Sequence, residues 1–144
     1  MSRIQLPATK PHRPPWNKGR LIGQKRRLLP RQAWAIRARL ELADNLRDLA
    51  LFNLAIDSKL RGCDLVRLRV VDLVAGGSVR DRASVIQSKT GRPVQFEVSE
   101  NTRRSVLAWV TSSPMLGQVF LFPSRFHSSP HISTRQYARL VCSQ

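Results

Sequence analysis

Acid is scarce in this sequence: the first carboxylate is Glu41, and the 144 residues hold 9 aspartates and glutamates against 25 lysines and arginines. The formal net charge of +16 draws polyanions, so nucleic acid is the expected partner. Cysteine is nearly absent. Cys63 and Cys142 form no Cys-x-x-Cys pair and have no histidine set beside them, which argues against a zinc site or disulfide framework and for reduced, partly buried thiols. No apolar run approaches the roughly 18 to 20 residues of a spanning helix. The basic N-terminus leads into prolines and more charge, with no short apolar core and cleavage site, so a soluble cytoplasmic protein with no membrane association is expected. No Ser-His-Asp order, glycine-rich phosphate loop or zinc spacing offers another kind of active site, and there is no internal repeat.

What is present is enough apolar residue, 42%, for a single core. Charge is unevenly placed: residues 1–40 carry 11 of the 25 basic residues, and the other 14 exceed the 9 acids by only 5. Residues 1–30 hold five prolines, eight basic residues and no acid, a composition that cannot bury enough apolar surface to offset ordering. They are expected to be a flexible arm that lies along phosphates through Lys18, Arg20, Lys25, Arg26 and Arg27 or, alternatively, serves only as a solubilising tail.

From Arg31 strong helix formers take over. Gln32 to Ala43 sets Ile36, Leu40 and Ala43 on one face and leaves Arg37, Arg39 and Glu41 toward water. Asn45 to Leu60 is apolar nearly all round and is expected at the centre of the core. A short helical stretch, Asp64 to Leu68, leads to Val70, Val71 and Leu73, read as a first strand before the Gly76-Gly77 turn. Two further β-like runs, Ala83 to Gln87 and Pro93 to Val98, flank the hairpin loop Ser88-Lys89-Thr90-Gly91-Arg92. These imply a small three-stranded antiparallel sheet. Ser99 caps a helix to about Thr111, and Val119-Phe120-Leu121-Phe122 is an apolar plug. Ser133 to Gln136 matches a capping box, with Ile132 and Tyr137 spaced as its hydrophobic staple. The fold class is α+β and mainly helical, with 31–144 as one domain.

The order of these elements resembles the first part of the catalytic domain of tyrosine recombinases and phage integrases. Leu60-Arg61-Gly62-Cys63-Asp64-Leu65-Val66-Arg67-Leu68 ahead of Asp72 resembles the family pattern around its first catalytic arginine. Ser88-Lys89-Thr90-Gly91 is similar to the hairpin that carries the family's lysine, and Leu121-Phe122-Pro123 to an apolar-Phe-Pro segment after the next helix. The resemblance implies an integrase-like catalytic domain fragment that binds double-stranded DNA and uses no metal or cofactor.

In the family a tyrosine oxygen attacks the scissile phosphate, leaving a 3′-phosphotyrosyl bond and a free 5′-hydroxyl. By resemblance Arg61 would fork onto non-bridging oxygens and Lys89 would protonate the leaving oxygen, with Arg92 as a further DNA contact. Read without the family, Arg61 is a structural arginine paired with Asp64 or Asp72, and Lys89 an ordinary charged tip. The family's His-x-x-Arg pair, later His or Trp, and nucleophilic Tyr lie on later helices. Here His131 and Arg135 stand at His-x-x-x-Arg spacing, and Tyr137 is the one tyrosine, placed as a packing residue. The expectation is therefore a truncated domain that binds DNA and cannot cleave it alone, with a tendency to associate with full-length recombinase protomers through uncovered apolar surface. The alternative is a small basic nucleic-acid-binding protein without catalytic ancestry.

Overall fold

The computed structural model describes residues 14–19, 23, 27–125 and 129–142. Of the arm expected over 1–30, residues 1–13, 20–22 and 24–26 lie outside the described residues.

Helix α1 (Pro30–Leu42) starts on a proline, tolerated there because the first N–H of a helix has no partner within it. The Gln32 side chain reaches back to accept the Leu29 N–H at 2.9 Å. Leu40 is its buried anchor, whereas Ala43 lies exposed just beyond its end. Arg37, expected in water, is half-buried, and its Nε donates to Asn53 Oδ1 at 2.7 Å. Helix α2 (Leu46–Ser58) is capped by Asn45, whose side chain accepts from the Asp48 N–H. It is the central element, with Leu49, Ala50, Leu51 and Leu54 buried.

The chain then makes two single-turn helices, α3 (Gly62–Leu65) and α4 (Val70–Leu73). Two ladders follow. In the first, β1 (Val74–Ala75) and β2 (Ser78–Val79) close on Gly76-Gly77, whose φ values of 59° and 79° are those of a two-residue hairpin turn. The second pairs β3 (Arg82–Ile86) with β4 (Pro93–Glu97), setting Ala83 opposite Phe96 and Val85 opposite Val94 on the inward face.

The expected three-stranded sheet is thus two separate two-stranded sheets. The run Val70 to Leu73 is a helical turn because Asp72 caps it, its Oδ2 accepting the Arg69 N–H at 3.0 Å, while the Val70 N–H goes to Val119 O. That leaves β1 only two residues for pairing. The chain bends at Asp81, so β2 and β3 belong to different ladders.

Ser99 caps α5 (Glu100–Val110) by accepting the Thr102 N–H, and α5 packs along α2. The buried Asn53 donates to Ser105 Oγ at 3.1 Å, and Asp57 Oδ2 accepts both the Ser99 N–H and the Thr102 hydroxyl. The apolar plug is buried only in its second half, since Val119 lies exposed and Phe120 half-buried. Leu121 and Phe122 are fully buried, Leu121 N–H donates to Leu68 O, and Trp109 Nε1 donates to Leu121 O. Helix α6 (Thr134–Cys142) is capped by Ser133 Oγ, which accepts the Gln136 N–H at 3.1 Å, and packs against α3. Of the two free thiols Cys63 is half-buried, as expected, and Cys142 is exposed.

Candidate nucleic-acid interface

The end of α2 sets up the segment that carries Arg61. Lys59 takes the left-handed conformation, φ 53°, which stops the helix, and Leu60 dips into the core directly afterwards. Arg61 follows with an extended backbone at the start of α3, and its carbonyl accepts the N–H groups of Asp64 and Leu65 at 3.0 and 2.9 Å. Its backbone is held while its side chain stands in solvent. Among the described residues the Arg61 guanidinium has no hydrogen bond or ion pair, so the structural pairing with Asp64 or Asp72 is not formed.

Lys89 lies at the tip of the β3–β4 hairpin. The loop is closed by Gln87 N–H to Arg92 O and Gly91 N–H to Gln87 O, with Gly91 at φ 64°, a conformation that costs a residue without a side chain least. Thr90 Oγ1 donates to Gln87 Oε1 and accepts the Arg92 N–H, bracing the tip from inside. Lys89 and Arg92 are both exposed.

The two segments are tied together by Asp64. Its Oδ1 accepts the backbone N–H of Ser88 at 3.0 Å and the Ser88 hydroxyl at 2.8 Å, and the thiol of Cys63 lies 3.7 Å from that hydroxyl. Asp64 is one helical turn after Arg61, and Ser88 is the residue before Lys89. Adding those spacings to the span of the Asp64–Ser88 hydrogen bond puts the two Cα atoms within about 17 Å of each other. Asp64 Oδ2 is buried with no partner among the described residues. The sequence marks Asp64 as part of the Arg61 motif but gives no sign that it clasps a residue 24 positions on.

The remaining candidates fall elsewhere. Lys18 is exposed in a turn closed by its N–H to Pro15 O, and Arg27 is exposed ahead of α1. No hydrogen bond or ion pair ties either to the Arg61 and Lys89 segments among the described residues. Arg20, Lys25 and Arg26 lie outside the described residues.

His131 stands before α6, its Nδ1 2.9 Å from Ile132 O and its ring 5.3 Å from that of Phe120, which Arg69 covers on a cation–π contact. Tyr137 rests on Gly62, and burial raises its phenol above the ordinary pKa.

No family model matches the sequence, and no curated protein matches it. Among solved structures, the crystal structure of XerA recombinase matches 83% of this chain with a TM-score of 0.64. The fold is similar to that of a recombinase. At 14% identity the likeness to XerA recombinase is one of fold, and the matched region spans 41% of the recombinase chain. Within this recombinase-like fold, Arg61 and Lys89 sit on the two segments that Asp64 joins, α3 and the β3–β4 loop.

Proposed function

We propose that this chain is the first part of a tyrosine-recombinase-type catalytic domain, and that it binds double-stranded DNA with Arg61 and Lys89 on one backbone phosphate. The observation that carries this reading is the clasp of Asp64 on Ser88, which ties the turn bearing the exposed Arg61 to the loop bearing the exposed Lys89, with no anion of the protein neutralising Arg61 among the described residues. A guanidinium suits the non-bridging oxygens because its planar fork matches them in pairs. An ammonium on a braced hairpin tip suits an oxygen of the same phosphate; in a domain that cleaves, it would give a proton to the oxygen that leaves and become a neutral amine, a step this chain alone does not reach. Lys18, Arg20, Lys25, Arg26, Arg27 and Arg92 add sequence-independent phosphate contacts, with 1–30 acting as the arm and 31–144 as the domain.

In this proposal the chain on its own holds DNA and does not cut it. The one tyrosine packs against Gly62, and His131 and Arg135 flank the start of α6 without the family's spacing for a second arginine. A basic binding protein without catalytic ancestry is the weaker reading, since it gives no account of the likeness to a recombinase. The test is incubation with a nicked suicide duplex followed by denaturing electrophoresis alongside a binding titration. Binding with no covalent adduct is expected. A phosphotyrosyl adduct would refute the non-cleaving part, and no binding at low salt would refute the whole reading.

A further inference from the structure

Gly62 follows Arg61 directly, and a side chain added there would meet the Tyr137 ring at 3.1 Å from Cδ1 and 3.2 Å from Cε1. Those distances are tighter than ordinary van der Waals contact, so the ring lies against the backbone of the α3 turn with no room to spare. Tyr137, on α6, is one of the places where that helix meets α3. The ring is half-buried, its helix is capped at Ser133, and Ile132 just before the cap is 1% exposed, so the base of α6 is anchored in the core.

The turn that bears Arg61 is thus held from two directions. Asp64 fixes one side to the hairpin, and Tyr137 closes the other.

We infer that Tyr137 is a positioning residue for Arg61: its ring, by packing on Gly62, sets the direction in which the Arg61 side chain leaves α3. The role belongs to the ring and not to the hydroxyl, because the ring carbons are what the glycine faces. Phosphate contact at Arg61 then depends on α6 being seated. This inference rests on the proposed DNA contact for its functional meaning, but its structural half stands without DNA.

The experiment uses the full chain, ¹⁵N-labelled, with the Arg61 Nε–H signal assigned by its loss in Arg61→Lys. In the free protein, backbone order at Arg61 and Gly62 is expected to be unchanged in Tyr137→Phe and clearly reduced in Tyr137→Ala. On adding a 20-base-pair duplex, the Arg61 Nε–H shift is expected to match wild type in Tyr137→Phe. It should fall at least threefold in Tyr137→Ala and in Gly62→Ala, while the Arg92 amide responds as before. Tyr137→Leu, which keeps apolar volume without the ring edge, replaces Tyr137→Ala should the latter fail to fold. Unchanged order and an unchanged Arg61 response in the ring-deleting variants would overturn the inference. A wild-type Arg61 signal indifferent to DNA, with the order effect still present in the free protein, would overturn the phosphate-contact reading alone.

Discussion

Asp64 and Ser88, separated by 24 residues, meet through one carboxylate oxygen that accepts both the backbone N–H and the hydroxyl of the serine. The pair joins the turn after the central helix to the hairpin tip. The joint action proposed for Arg61 and Lys89 depends on that join. Asp64→Ala is expected to cost about 2 to 3 kcal/mol, because hydrogen bonds to a charged group are lost and the Ser88 N–H is left without its partner. Ser88→Ala, which removes only the hydroxyl, should cost about 1 kcal/mol. Urea unfolding midpoints measure both. Amide exchange should rise at Ser88 to Gly91 in Asp64→Ala by more than the global loss explains.

DNA affinity is expected to fall steeply with salt, because phosphate contacts release counterions. Deleting residues 1–30, which removes eight basic residues, should flatten the plot of log affinity against log salt by several units, at about 0.9 per lost contact. Arg61→Ala should change that slope by about 1 and affinity only modestly, one contact being lost among many. Fluorescence anisotropy across a salt series checks this, and an unchanged slope after deletion would show that the arm makes no contact.

Tyr137 is the only tyrosine, so its ionisation can be followed at 295 nm without interference from another phenol. Desolvation favours the neutral form, and the titration midpoint of the folded chain is expected above 10.0. The unfolded chain releases the proton first, so the contribution is whole below about pH 10 and is lost as pH rises through the raised value. Tyr137→Phe, with no proton to lose, should keep more of its stability in that alkaline window, which thermal melts at stepped pH would show.

The chain Arg37 to Asn53 to Ser105 joins three helices through the buried Asn53 side chain. Asn53→Ala leaves the Arg37 Nε without its acceptor, whereas Ser105 loses a donor but keeps its own bond to Thr102 O, and a loss of about 2 to 3 kcal/mol is expected from the unpaired group and the vacated volume. Chemical denaturation measures it, and a loss under about 1 kcal/mol would show that water replaces the amide at little cost.

Features written locally in the chain were legible. Ser99 is recognisable as a cap from its own neighbourhood, and α5 begins at the next residue because the Thr102 N–H needs that acceptor. The apolar residues all round Asn45 to Leu60 imply a central helix, and α2 is central. Long-range partners were not legible. Val70 and Val71 have the branched side chains of a strand, yet the capping carboxylate of Asp72 and the distant carbonyl of Val119 wind them into a turn. Arg37 looked like a solvent-facing arginine until Asn53, 16 residues on, gave it a buried acceptor. At the candidate site Arg61 and Lys89 could be named from their motifs. The clasp that relates them, and the ring that closes on Gly62, arise only when α3, the hairpin and α6 meet.

The most direct test is a crystal structure of the full chain bound to a short DNA duplex. The account predicts the Arg61 guanidinium and the Lys89 ammonium each within about 3 Å of an oxygen of the same phosphate. Side chains on phosphates of separate nucleotides, or an Arg61 turned away from the duplex, would contradict it.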